Sequence, residues 1–558
     1  MTDVLQRYRA VDYPLPTGQH SWFLYGAGME NLGKDGKPVD NVVPVPGPDE
    51  LLVRCDANGL CFSDIKIITQ GSAHVRIQRD LSVEPVIMGH ESAVTVVQVG
   101  ENRKGQFSVG QRFVVQADVY YKGKNLAYGY ALPGALTQYE TIGKEILDGD
   151  EGCYLIPIKE TTGYAEASLT EPWACVVHSY VLNYRSQVKA GGTCLMLGGA
   201  GAERLTLGST FAQALPARIV AVGLPENLLA AVKATGTEVV EWQCNGGCGG
   251  LDAMIDEQTG GKGFDDIIIC GKVSAGCLEK VAVKLAHAGL LNIVCDQPLN
   301  EKLSVDIGRV HYEDWYYIGN PGPDISASYC PHRPKTDLKP GGSAWFLGAG
   351  GPMGQMHVQR ACEMPNGPSF IVATDIDPAR LVELRERFIP AAKAHGRTLV
   401  VLNPKEMSND EFEAKLRELT GGQGFDDVVV LVPVAPLVEQ AATFCAEGGL
   451  LNIFAGVVRG TTCAMRLDDT YLRNVRWIGS SGSKLEDMRE TLRLAENKEL
   501  LTANAAAAIG GLNAVYQGLE LVKAQAVPGK IIIYQQIEDL PLTRLSELKD
   551  VFPTVAAK

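Results

Sequence analysis

SAWFLGAGGPMGQMHVQRACEMPNGPSFIVATDID, residues 343–377, decides how this chain is read. An apolar run, residues 344–347, reaches a glycine cluster at Gly348, Gly350, Gly351 and Gly354. A helix-like segment follows, then a second apolar run, residues 370–373, which stops at Asp375. The order is strand, glycine turn, helix, strand, acid. The glycines allow a tight turn and close backbone approach, and the helix behind them offers free N–H groups and a positive dipole to a pyrophosphate. An acid about 20 residues further on suits an adenosine ribose with a free 2′-hydroxyl, which predicts NAD rather than NADP. The spacing G-x-G-x-x-x-G is one residue longer than the commonest form, and a glycine triplet alone marks any tight strand-to-helix turn. Here both strands and the terminal acid are in register with it. The expected cofactor contacts are Gly348, Gly350, Gly351, Pro352, Met353, Gly354, Asp375 and Asp377.

Working outward, the chain repeats itself. KAGGTCLMLGGAG (189–201) answers KPGGSAWFLGAGG (339–351), and TGGKGFDDIIIC (259–270) answers TGGQGFDDVVVL (420–431). GLLNIV at Gly289 answers GLLNIF at Gly449, and DWYYIGN at Asp314 answers NVRWIGS at Asn474. Four matches in order, about 150 to 161 residues apart, mark a duplicated domain and not a short solenoid repeat. Each copy alternates apolar strands with helix-length segments, the pattern of a doubly wound α/β unit. The copies differ at the glycine turn. The first has Gly199, Gly201 and then Arg204, and its second strand, RIVAV, runs into Gly223 with no acid. Arg204 could meet a different anion, but a degenerate structural copy is the preferred reading.

The composition is that of a globular chain: 558 residues, 46% hydrophobic, 21% charged, 61 glycines, enough for three or four domains. A net charge of -14 argues against nonspecific nucleic-acid binding, because phosphates would be repelled. No apolar run reaches the roughly 20 residues a membrane helix needs, and the N-terminal stretch has no apolar core like that of a signal peptide. A cytoplasmic protein with no nucleic-acid or membrane partner is expected, with a homo-oligomer left open. The 14 cysteines scatter through apolar segments, as buried free thiols would. Cys244 and Cys248, in CNGGC, suit a glycine loop better than a metal knuckle.

Residues 1 to about 150 read as β-rich, with short β-branched runs separated by turns. Cys61 lies in GLCFSDIK, His90 and Glu91 in IMGHES, and Glu171 opens EPWACVVH. A thiolate, an imidazole and one or two carboxylates from separate loops suit an open zinc site with a position left for water or substrate oxygen. From these residue types alone, packing or capping remains the commoner explanation. Between Cys61 and His90 lie His74, Arg76 and Arg79, which could meet a phosphate or carboxylate or simply face solvent; Tyr121, Lys122 and Lys124 are further candidates.

Cys-x-Ser-Asp, then Gly-His-Glu, then Glu-Pro before a helix that enters the repeats resembles the zinc-dependent medium-chain dehydrogenase/reductase superfamily. Within it the likeness is to polyol and threonine dehydrogenases and sorbose-1-phosphate reductases, over almost the whole chain. The resemblance implies an α/β fold: a GroES-like β-rich catalytic domain (1–185), a degenerate first Rossmann-like domain (186–330), a second, NAD-binding one (331–483), and a C-terminal return to the catalytic domain (484–558) that ends in GKIIIY. It implies that Cys61 and His90 ligate one catalytic zinc, with Glu91 or Glu171 as third ligand. Ser63 matches the hydroxyl that relays the substrate proton, and Asp64 would hold its loop through backbone hydrogen bonds. Three departures stand out. No clustered cysteines follow Gly100, so no second metal is expected; Ser92 replaces a glycine; and the nucleotide unit is doubled. The implied function is hydride transfer between a polyol, sugar alcohol or sugar phosphate and NAD, with the second copy at the metal. Two rivals are an epimerase or lyase that cycles tightly held NAD, and a nonenzymatic nucleotide-binding scaffold.

Overall fold

The computed structural model describes residues 8–180, 185–242, 251–329 and 337–553; Cys244 and Cys248 lie outside them. The chain divides into two compact units. The first comprises Met1–His178, Gly351–Met356 and Gly482–Lys558, the second Ser179–Gly350 and His357–Ser481.

The first unit is built on an eight-stranded sheet. Its centre is Leu51–Leu60, buried along its whole length, which pairs antiparallel with Glu91–Val99 on one side and with the C-terminal strand Lys530–Tyr534 on the other. The register sets Gly59 opposite Glu91 and Ile531 opposite Leu60. Residues more than four hundred apart in sequence (Glu91 and Lys530) thereby become neighbours. Leu51–Leu60 runs into Cys61, which starts the helix Phe62–Gln70. The Cys61 N–H donates to Asp64 Oδ2 at 2.9 Å, a helix-start bond that satisfies an otherwise orphan donor and fixes where the thiol points.

The second unit holds one twelve-stranded sheet, not two separate ones. From one edge the strands run Glu238–Trp242, Arg218–Val222, Thr193–Gly198, Phe264–Cys270, Leu285–Val294 and Tyr316–Asn320. They continue as Arg476–Gly479, Cys445–Ile453, Phe425–Val430, Ser343–Leu347, Phe370–Thr374 and Thr398–Leu402. Within each half the pairing is parallel, as βαβ crossovers require; between Tyr316–Asn320 and Arg476–Gly479 it is antiparallel. The sequence predicts two tandem doubly wound domains. The structure keeps their topology but fuses their sheets. Trp315, Tyr317, Trp345 and Trp477 belong to one continuous buried cluster.

Ten cysteines among the described residues are free thiols. Cys277 is disulfide-bonded, a departure from the expectation of free thiols throughout. No helix among the described residues is long and apolar enough to cross a membrane.

Candidate active site

Among the described residues, one group of metal-ligating side chains converges: the ligand atoms of Cys61, His90 and Glu91 lie within 4.8 Å of one another. His90 and Glu91 are buried and Cys61 partly so. Gly59 makes room for the carboxylate, since a Cβ there would come within 2.1 Å of Glu91 Oε2. His90 Nδ1 faces Asp64 Oδ1 at 3.2 Å. Asp64 therefore does more than hold its loop. A carboxylate on Nδ1 fixes ring orientation and tautomer and leaves Nε2 for a ligand, as the outer partner of a metal-bound histidine does.

The electrostatics suit a cation. Burial opposes a charge on His90, yet Tyr130, Asp64 and Cys61 together hold its protonated form well above the usual histidine range. Burial likewise opposes a charge on Lys530, but Cys61, Glu91 and Glu171 keep its ammonium protonated, and it donates to Glu91 Oε1. Glu91 Oε2 is buried with no hydrogen-bond partner among the described residues. A thiolate, an imidazole and an unsatisfied carboxylate oxygen are the donors zinc takes in open sites, three from the protein and one from outside. The residues fit the metal.

Glu171 lies in the first turn of the helix Thr170–His178. Burial, opposed by His90 and reinforced by Glu91, pushes its carboxyl up to about 7. It falls outside the converging trio. Ser63 sits half-buried in the first turn behind Cys61, and Ser92 is buried in the strand that begins at Glu91.

The cationic loop residues separate. Arg79 is held by Glu84 at 2.7 Å and by the Ala131 carbonyl. His74 accepts the Arg76 N–H at 3.2 Å, and burial lowers its pKa, so it is neutral at pH 7. Arg76 remains. Its guanidinium pairs with Asp118 at 2.9 Å and lies 5.3 Å from the Tyr130 ring centroid, and that ring is 5.4 Å from His90. About a third of the Arg76 side chain is exposed (34%). Tyr121, Lys122 and Lys124 belong to a separate hairpin whose Lys122 and Gly123 N–H groups donate to Asp150.

Sequence reasoning missed Lys530, Asp118 and Tyr130. A lysine at the head of the apolar run KIIIY was the available signal, because a lysine inside a sheet needs a carboxylate partner.

In the second copy Gly348 turns the chain with φ +83, and the twelve-residue helix Pro352–Glu363 follows. Met353 lies in its first turn and Gly354 is buried there. The Gly350 N–H donates to Asp375 Oδ2 at 2.8 Å. A Cβ at Gly350 would come within 2.7 Å of Arg380 Cβ and of the Asp375 carboxyl, whereas nothing lies within 4 Å of one at Gly351. The Asp377 N–H donates to Asp375 Oδ1 at 3.0 Å, so both Asp375 oxygens accept backbone N–H groups, and the Asp377 carboxylate caps the helix Pro378–Ala394. In the first copy the turn is closed. Ala200 and Lys272 exchange backbone hydrogen bonds at 2.9 and 2.8 Å, and a Cβ at Gly199 would come within 2.3 Å of the Lys272 carbonyl. The 3-10 turn Ala202–Arg204 follows directly, with a four-residue helix, Thr210–Gln213, further on, and Arg204 is already paired with Asp296 at 2.7 Å.

Two family models match the chain: an alcohol dehydrogenase GroES-like domain over residues 47–147 and a zinc-binding dehydrogenase over residues 352–497. The second match falls on the copy with the open turn. Over these two stretches the chain is similar to zinc-binding and GroES-like alcohol dehydrogenases. Among its relatives, mannitol-1-phosphate 5-dehydrogenase of Aliivibrio fischeri is 26% identical over 507 residues, 90% of this chain and 84% of that one. L-sorbose 1-phosphate reductase of Klebsiella pneumoniae is 24% identical over 92% of this chain and 88% of its own. Among solved structures, an alcohol dehydrogenase from Thermotoga maritima matches with a TM-score of 0.51 at 14% identity, covering 93% of this chain and all of that one (100%). At that identity the likeness is one of fold.

Proposed function

We propose that the chain is a zinc-dependent, NAD-linked dehydrogenase that moves a hydride between a polyol or sugar phosphate and nicotinamide. The observation that carries this reading is the convergence of Cys61, His90 and Glu91 around a buried carboxylate oxygen that nothing satisfies. These three hold the zinc, Asp64 orients His90, and Lys530 balances the charge on Glu91. A zinc ion held there supplies Lewis acidity, which lowers the pKa of an alcohol oxygen. Glu171 takes or returns a proton at its carboxylate near neutral pH, and Ser63 relays the substrate proton at its hydroxyl. The dinucleotide is assigned to the second copy, with Gly348, Gly350, Gly351, Pro352, Met353 and Gly354 at the phosphates and Asp375 at the ribose. Asp377 drops out of that set as a helix cap. The zinc-binding dehydrogenase match begins at residue 352, which supports this assignment. The relatives named for mannitol 1-phosphate and sorbose 1-phosphate support a phosphorylated substrate, whose anionic end Arg76 reads.

Zinc content and NADH formation test the reading together. The purified chain should hold zinc, lose it on Cys61→Ala, and form NADH steadily with a polyol or its phosphate. Turnover without added NAD would instead favour the epimerase or lyase, and normal zinc in an active Cys61→Ala variant would remove the centre. For Arg76→Ala, KM for a phosphorylated polyol should rise by roughly 10- to 100-fold, the worth of hydrogen bonds to a charged group, with little change for the unphosphorylated one. Equal effects on both would take Arg76 out of substrate reading.

A further inference from the structure

The twelve-stranded sheet is a palindrome: from either edge inward the strands follow the same order of repeat equivalents. At its middle, Tyr317 pairs with Trp477, and these two occupy the same position in the matching runs DWYYIGN and NVRWIGS. Beside them Leu303–Asp306 pairs antiparallel with Thr462–Met465, and Ser304 lies opposite Ala464. The spacing between Ser304 and Ala464 is the same as that between Tyr317 and Trp477. Residues that meet their own equivalents in two separate strand pairs define a local twofold axis through both.

The contacts around the axis are reciprocal. A Cβ on Gly319 would come within 2.5 Å of Tyr471 Cβ, in the helix Asp468–Leu472. A Cβ on its equivalent Gly479 would come within 2.7 Å of His311 Cα, in the helix Ile307–Tyr312, and His311 is the repeat equivalent of Tyr471. The loops also cross in both directions, though not between equivalent residues: Leu299 N–H of the first copy donates to Asp468 at 2.9 Å, while Gly460 N–H of the second donates to Asp306 at 3.1 Å. Such reciprocity, in which i meets j and j meets i, marks an isologous interface between two identical subunits. Here it lies inside one chain, with the Tyr317 and Trp477 rings tilted against each other, centroids 5.6 Å apart, in the shared core.

We propose that the first copy is a built-in second subunit: it gives the second copy its sheet partner, binds no dinucleotide, and makes one chain complete with one metal centre and one cofactor. Three features agree. The strands at the axis are interior, so no other chain can add to the sheet there. The Ala200–Lys272 bridge lies across the first glycine turn, where a Cβ at Gly199 would meet the Lys272 carbonyl, and a 3-10 turn replaces the helix that would present a dipole to phosphate. In the second copy Pro433 stands at the position of Lys272, and proline has no N–H with which to close such a bridge.

The test uses the full-length chain, with NADH as the probe and light scattering for mass. Saturation is expected at one NADH per chain, on a particle of 60.0 kDa whose activity per chain is unchanged by ~100-fold dilution. Two NADH per chain, or a particle that must pair to be active, would overturn the proposal. Gly350→Val should weaken NADH on the order of 100-fold or more; one NADH bound per chain with unchanged affinity would place a working site in the first copy and also overturn it. The NADH and activity readouts rest on the function proposed above, but the mass does not. If no NADH binds, that function fails while a particle that stays at 60.0 kDa on dilution still supports the internal partner.

Discussion

In the second copy the chain leaves strand Ser343–Leu347 through Gly348 and enters a twelve-residue helix; in the first it leaves Thr193–Gly198 and enters a single 3-10 turn. Ahead of these turns the two copies remain alike. Lys189 pairs with Asp265 and Lys339 with Asp426, at equivalent places. The N–H groups of the same two lysines donate at 2.9 Å to the buried Asp266 and Asp427. Asn292 and Asn452, from GLLNIV and GLLNIF, both donate to backbone carbonyls. Both copies keep what builds strand and crossover. The groups a dinucleotide needs (a helix N-terminus, an open glycine turn, an acid at the second strand) stand in one copy only.

The sharpest way to break this comparison is at Gly350. Its added Cβ would meet Asp375 and Arg380 at 2.7 Å, and a valine cannot be accommodated without moving the turn. Gly350→Val should weaken NADH on the order of 100-fold or more, the loss of several backbone contacts to phosphate. Asp375→Ala removes a single ribose partner, and a loss of about tenfold is expected. Calorimetric titration of both variants checks the order. The matching change in the first copy, Arg204→Ala, should leave affinity where it was; a drop there would make the copies functional equals.

The repeat was legible because its strongest signals are local: a glycine turn, a TGG-x-GFDD run and an apolar strand each show within a dozen residues. Cys61 and His90 were legible as short motifs. Lys530 was not, because it reaches Glu91 only through the register that sets Ile531 opposite Leu60 and Gly59 opposite Glu91. Asp64 was read as a loop-holding acid, which one of its oxygens is; the other turns to His90, from a different loop. The fused sheet was also hidden. DWYYIGN and NVRWIGS read as equivalent strands, but whether equivalent strands pair with each other depends on edges that only the folded chain brings together.

The smallest expected effect bears on what the copies share. Lys189 and Lys339 are half-exposed (50% and 49%), so solvent screens both ion pairs and each should be worth only about 0.2–1 kcal/mol. Lys189→Ala and Lys339→Ala should therefore cost the same small amount in urea unfolding, although only the second lies in the cofactor copy. Acid sharpens the point. Burial would raise the Asp426 pKa, but bonds from Lys339 and Ser343 outweigh it and hold the group below the usual aspartate range. A carboxylate depressed in the folded state stabilises above its unfolded pKa, roughly pH 4, and loses that contribution as pH falls through its folded value. The cost of Lys339→Ala should accordingly shrink on acidification below about pH 4. A cost that stayed constant to pH 3 would mean that the lysine acts through its apolar stem. A much larger cost in the second copy than in the first would mean that the shared frame has itself diverged, and that the first copy's decay reaches beyond its glycine turn.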